Sequence, residues 1–243
     1  MNQSFYTAAV GAQQQQNRMN VQGNNIANVN TYGYKNMQAN FASLLYRNME
    51  GIDNARLPHG VGSRVISTDT DYKTGGFAHT GNALDFAIQG EGFFALRDPQ
   101  SGAVSYTRDG SFTRAPLQEA DANGNPSTNW YLSDGVGRLV LDGQNAPIRV
   151  TENTLSADIG VFTFAHLNGM YHAGDNCYLP AAKNGAPILM QNAKLAQGYL
   201  EGSNVDLAQE LTRVIESQRS FSYALKMVQT SDEVETTING LRT

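Results

Sequence analysis

Two stretches of the chain carry a helical rhythm of hydrophobic positions, and the stretch between them does not. Phe5, Ala9, Ala12, Gln16, Met19, Gly23 and Ile26 follow one another at alternating intervals of four and three, which aligns them along one seam of a helix. The seam is weak, because Ala, Gln and Gly stand where Leu or Ile would fill a tight helix pair. Ser4 is the expected N-cap. The helix is expected to fade near Asn24 and Asn25, whose side chains compete for the backbone. Asn28 to Gly33 reads as a turn, with Gly33 suited to positive φ, and Phe41 to Arg47 as a second short helical piece. At the other end, Leu207, Leu211, Val214, Gln218, Phe221, Leu225 and Val228 repeat the same alternation, and Val234, Ile238 and Leu241 continue it on a shifted seam. Ser203 or Asn204 is the expected cap of this second helix. From Val205 to Leu241 it would run about 55 Å, too long for one domain to cover a whole face.

The middle has a different texture. Ala83–Gln89, Gly92–Arg97, Val104–Arg108, Ser111–Arg114 and Arg138–Leu141 alternate or run apolar as strands do. Asp98 to Gly102 and Asp109-Gly110 are turn sequences, the latter a hairpin signal. Asp121 to Asn129 reads as an exposed polar loop. The pattern predicts an α+β protein in which N- and C-terminal helices pair into a coiled-coil-like helical domain, residues 1–61 plus 200–243, around a central, mainly antiparallel β-rich domain, residues 62–199.

Charge sharpens this picture. The whole chain of 243 residues has 17 basic and 22 acidic side chains, a net −5, which argues against nucleic-acid binding by bulk electrostatics. Up to Met49 there are bases (Arg18, Lys35, Arg47) and no acid, whereas Glu201 to Thr243 holds seven acids against four bases. Opposite signs on matching heptads favour pairing of the two ends, within one chain or between chains. The longest apolar runs, such as Phe93-Phe94-Ala95-Leu96, are too short to span a bilayer. No compact apolar stretch follows a charged start, so a cleaved secretory leader is not expected.

Candidate chemistry is thin. Gly90-Glu91-Gly92-Phe93-Phe94-Ala95 matches the dinucleotide fingerprint, but that site needs a helix at the second glycine and the residues that follow read as a strand. His59, His79, His166 and His172 have no helical metal spacing. A zinc site could be built from His166, His172 and the single Cys177, but scattered, solvent-touching histidines are the preferred account. Asp69 and Asp71 lack the further ligands of a calcium loop. Glu91, Asp98, Asp109 and Asp134 could supply a hydrolytic carboxylate pair, as could the acids of most β-proteins. No catalytic residue, cofactor site or metal site is expected.

Three segments carry a resemblance instead. Asn24 to Lys35 (NNIANVNTYGYK) resembles the signature of the bacterial flagellar axial proteins of the rod and hook class. Leu200 to Leu207 (LEGSNVDL) with Gln218 to Phe221 (QRSF) is similar to that family's C-terminal pattern, and Asp85 to Phe94 with Tyr106 to Thr113 (YTRDGSFT) to its core β-domain. Length and Phe41 to Tyr46 stand nearer the rod members, the distal type ahead of the proximal, than the longer hook subunit. The resemblance implies a structural subunit of the flagellar basal body that polymerises as a homo-oligomer into a helical tube, the drive shaft between motor and hook. It implies neighbouring rod and hook proteins as partners, export through the flagellar type III apparatus without a cleaved signal, and no membrane insertion. A low-copy junction, cap or scaffold protein of the same family is the alternative. A wall-degrading enzyme is a third class. The assembly-interface candidates are Phe5, Ala9, Ala12, Gln16, Met19, Asn24, Asn25, Ile26, Asn28, Asn30, Gly33, Leu207, Leu211, Val214, Gln218, Arg219, Phe221, Leu225 and Val228. For the asparagines, ordinary capping and turn formation is an equal alternative.

Overall fold

The computed structural model describes residues 3–44, 46–50, 56–120, 126–151, 154–155 and 158–241. It is an α+β protein, with a long helix at each end and mostly antiparallel short strands between them. The chain divides into two compact units. The first holds Met1–Ala27, Met37–Asp69 and Asp206–Thr243; the second holds Asn28–Asn36 and Thr70–Val205.

The first unit contains α1 (Gln3–Ala27), β1 (Met37–Ser43), β2 (Tyr46–Glu50), β3 (Arg56–Gly60), β4 (Ser63–Thr70) and α2 (Leu207–Gly240). Helix α1 is already helical at Gln3, so Ser4 is not the cap it was expected to be; its hydroxyl lies 3.1 Å from the Ser231 hydroxyl on α2. The helix also does not fade at Asn24. It runs to Ala27 because the buried Asn25 side chain bonds outside the helix, donating to the Met37 carbonyl (2.8 Å) and accepting from the Met37 amide (3.0 Å). The cap of α2 is Asp206 rather than Ser203 or Asn204, its carboxylate accepting from the amides of Ala208 (3.0 Å) and Gln209 (3.2 Å). Phe41 to Arg47 is not a helix either. Phe41–Ser43 ends β1, which pairs with β4, and Tyr46–Arg47 opens β2, which pairs antiparallel with β3 from Tyr46↔Gly60 to Glu50↔Arg56. Aromatic residues in a short segment follow the available ladder partner over a weak local preference.

The second unit opens with β5 (Phe77–His79), β6 (Phe86–Gln89), β7 (Phe93–Arg97) and β8 (Val104–Thr107). Next come β9 (Thr113–Ala120), β10 (Pro126–Ser133), β11 (Leu139–Val140), β12 (Val150–Thr151), β13 (Thr154–Leu155) and β14 (Val161–Thr163). It closes with β15 (Tyr171–Gly174), β16 (Cys177–Leu179), β17 (Ile188–Leu189), β18 (Lys194–Gln197) and β19 (Tyr199–Glu201). Its main sheet runs β15-β16-β8-β7-β11-β10-β9, with β14 bridging β7 and β17. Strand β7 is buried on both faces. Phe93 and Ala95 pack with Tyr106, Phe162, Phe164 and Tyr178, while Phe94 and Leu96 pack with Phe86, Phe112, Leu132 and Ile148. That double burial explains its continuous apolar run.

The turn at Asp98–Gly102 joins β7 to β8 as a hairpin, but Asp109-Gly110 does not close one. Strand β8 pairs with β7 and β16, and β9 pairs with β10. Gly110 instead lies against the Phe86 backbone, accepting from its amide (3.0 Å) where a Cβ would collide with the Phe86 carbonyl. In the expected polar loop, Pro126–Asn129 belongs to β10, and 121–125 lie outside the described residues.

Candidate functional site: the helix pair and a buried ion cluster

Helices α1 and α2 pack along each other antiparallel: Ser4 meets Ser231, and Asn25 donates to the buried Glu210 carboxylate at 3.4 Å. The most covered row of α1 is Ala8, Gly11, Gln15, Arg18, Gln22 and Asn25, one position N-terminal to the expected seam. On α2 it is Glu210, Val214, Ser217, Phe221, Ala224, Val228 and Ser231. The four-and-three spacing is there, but the residues at its centre are small or polar. They are held by specific bonds: Arg213 donates to Glu210 at 2.6 Å, the Ser217 hydroxyl to the Arg213 carbonyl at 2.8 Å, and the Val65 amide to Gln14 at 2.8 Å.

The interface candidates therefore separate by position. Ala12, Asn25 and Gly33 are buried within the chain, and Ala9, Met19, Ile26, Asn28, Val214, Phe221 and Val228 are half-covered. Phe5, Gln16, Asn24, Asn30, Leu207, Leu211, Gln218, Arg219 and Leu225 are exposed. Ile215, Val234 and Ile238 extend the exposed apolar set along α2, each 46–54% exposed.

A second feature was not anticipated. In the second unit Glu201 is fully buried and accepts from Lys35 Nζ at 2.5 Å and from an Arg108 guanidinium nitrogen at 2.9 Å. Its carboxylate also takes the Gly75 amide (2.9 Å), and its carbonyl takes the Gly33 amide (2.7 Å). Lys35 donates further to the Lys73 carbonyl (2.7 Å), and Arg108 to the Gly90 carbonyl (2.8 Å). Asn204 sits alongside, accepting from the Asn36 amide (2.7 Å) and donating to the carbonyls of Asp71 (2.7 Å) and Lys73 (3.1 Å). Two cations share one carboxylate, so the cluster holds a formal charge of +1 out of water. Burial lowers the pKa of Lys35, against the opposing pull of Glu201. Gly33 has φ +67°, and a Cβ there would lie 2.5 Å from the Asp109 amide nitrogen, so only glycine lets this turn lie on the β8–β9 connection. The signal was partly available in the sequence: three of the quoted segments contain Lys35, Arg108 and Glu201, charges of complementary sign, although only Lys35 is the sole charge of its segment.

Three of the four candidate catalytic carboxylates serve their own turns, and Glu91 lies exposed just before β7. Asp98 accepts from the Gln100 amide and Ser101 hydroxyl, Asp109 from the Ser111 amide, and Asp134 from Arg138 and three backbone amides. Gly90 and Gly92 lead into strand β7 and no helix opens there. Among the described residues no three potential metal ligands come together, and no helix is long and apolar enough to cross a membrane.

Comparison with known proteins places this architecture. Residues 5–35 match the family described as flagella basal body rod protein, 87–160 the D1 domain of the flagellar hook protein FlgE/F/G, and 196–241 the C-terminal part of flagellar basal body rod FlgEFG protein. The flagellar basal-body rod protein FlgG of Caulobacter vibrioides is 32% identical, over 99% of this chain and 99% of that protein. The chain belongs to the flagellar basal-body rod protein family. FlgG of Bacillus subtilis is also 32% identical, over 96% of this chain and 97% of its own length. FlgF of Caulobacter vibrioides is 31% identical, over 89% and 88%. The chain is thus a structural subunit of the rod, located in the flagellar basal body, and most like the distal rod proteins. The three matched regions of this rod protein each supply one member of the ion cluster: Lys35, Arg108 and Glu201.

Proposed function

We propose that this rod protein polymerises through its terminal helices into a tubular shaft that transmits torque from motor to hook. The assembling part is the unit formed by α1, the strands of 37–69 and α2, with the two helices pairing as an antiparallel coiled coil. The observation that carries this reading is the row of exposed apolar residues on α2, Leu207, Leu211, Ile215 and Leu225, with Val234 and Ile238 exposed on the shifted seam beyond it. Fully burying a side chain of that kind is worth about 1.5–3 kcal/mol, and α2, 34 residues and about 51 Å long, leaves these 42–54% exposed, so roughly half of that gain is still to be made. Copies of the same chain cover them. Other rod and hook proteins are the neighbours at the two ends of its segment, and the chain reaches the rod through the flagellar export channel. It has no catalytic role.

The test is Leu211→Asp with Ile215→Asp. These exposed sites leave the monomer folded, and the variant is expected to be absent from isolated basal bodies and to abolish swimming. Normal swimming with the double variant overturns the reading. Counting subunits by mass in wild-type basal bodies separates a rod segment, present in many copies, from a junction or cap protein present in few.

A further inference from the structure

The first unit contains a cavity of about 140 Å³ walled by Arg18, Val21 and Gln22 of α1, Met37, Gln38 and Ala39 of β1, and Glu210 and Arg213 of α2. Its hydrogen bonding is incomplete. Gln22 is 4% exposed, and its side-chain oxygen is buried with no donor. Arg18 stacks on Phe41 at 6.0 Å and donates to no acceptor among the described residues. Arg213 already serves Glu210. The cavity therefore offers one buried acceptor without a donor and, beside it, one half-buried guanidinium with donors to spare.

We propose that this cavity receives a carboxamide side chain from the outer face of α1 in a second copy of the chain. The inference rests on the polymer reading and names the chemistry of one of its contacts. A carboxamide donates to Gln22 and accepts from Arg18 with no charge of its own, and its separate N–H and C=O arms reach both groups at once, which a single hydroxyl oxygen does less readily. A carboxylate has no proton for Gln22 and would face Glu210, and an ammonium would face two guanidinium groups. The volume equals about four or five waters, enough for a CH₂–CONH₂ group. The chain carries such groups in the right place: Gln13, Gln16, Asn17 and Asn20 are exposed on one stripe of α1, opposite its covered row. Receptor and donor lie on different surfaces of the same unit, so the contact is head-to-tail and propagates into a filament instead of closing a dimer.

Cysteine cross-linking in purified basal bodies tests this directly, because the native Cys177 is buried. Gln38→Cys at the cavity rim, combined with cysteine at position 13, 16, 17 or 20, is expected to give a ladder of disulfide-linked copies for at least one pair. Rods that contain the variants and yield no ladder for any pair overturn the inference while leaving the polymer reading intact. A wild-type chain found in only a few copies overturns the polymer reading itself. Gln22→Leu supplies the second arm. It removes an unsatisfied buried oxygen, so the monomer keeps its melting temperature, while the critical concentration for polymerisation rises about tenfold. Unchanged polymerisation of Gln22→Leu also overturns the inference.

Discussion

Replacing Glu201 with Gln removes the one anion from a cluster that holds two cations out of water. The carboxylate takes Lys35, Arg108 and the Gly75 amide together, with both cationic side chains no more than 1% exposed. The amide of Gln keeps one acceptor oxygen and turns an N–H toward groups that are themselves donors. Breaking a buried pair from one side costs roughly 3–5 kcal/mol, a large share of a typical stability of about 5–15 kcal/mol. We expect Glu201→Gln to cost about 4 kcal/mol. Urea unfolding checks it, followed by the fluorescence of Trp130, the single tryptophan, which reports the β-rich unit alone. Lys35→Met in the same chain withdraws one stranded cation, and the Lys73 carbonyl keeps Asn204 as a donor. The double variant should therefore recover roughly 1–3 kcal/mol relative to the sum of the single effects. A cost below about 1 kcal/mol for Glu201→Gln, or strict additivity of the pair, refutes the account of the cluster as one charge-balanced unit.

Three further outcomes follow from the same geometry. Gly33→Ala must place a Cβ 2.5 Å from the Asp109 nitrogen at φ +67° and is expected to cost about 3 kcal/mol by the same urea assay. Asp206→Ala deletes the cap of α2 and should cost about 1 kcal/mol, read as faster amide exchange at Ala208 and Gln209 with the β-rich unit unchanged. Burial lowers the Lys35 pKa below 10.5, so between its folded value and 10.5 the unfolded chain binds the extra proton and stability from this group rises with pH. Buried Tyr106 and Tyr178, whose pKa values burial raises, act in the opposite sense, and comparison with Lys35→Met cancels them. A wild-type advantage over Lys35→Met that fails to grow across that window contradicts the assignment.

The helices and the β-rich middle were legible because their periodicities are long or reinforced by turns. The centre of the helix seam was not. Counting apolar spacing favours Leu211, Gln218 and Leu225, whereas the structure covers Glu210, Ser217 and Ala224 and leaves the leucines outside. Hydrophobic pattern identifies what ends up covered, and in the assembly proposed above part of that covering lies beyond the chain. The strand nature of Phe41–Ser43 and Tyr46–Arg47 was hidden for another reason: their ladder partners are residues further along the chain, which local preference does not register. The ion cluster escaped because its members are 166 and 93 residues from Glu201 in sequence. Only the motifs containing them, not any spacing, pointed to it.

The helix pair is matched by amide, hydroxyl and carboxylate contacts such as Ser4 to Ser231 and Asn25 to Glu210, each worth about 1 kcal/mol net. Such contacts choose a register more firmly than they hold it. A solitary subunit thus has its alignment decided while its cohesion is still small. For the shaft proposed above, nucleating a new fibre from loose molecules is correspondingly unfavourable, whereas adding one to an existing tip gains the greasy contacts at once, so growth is confined to ends that are already there.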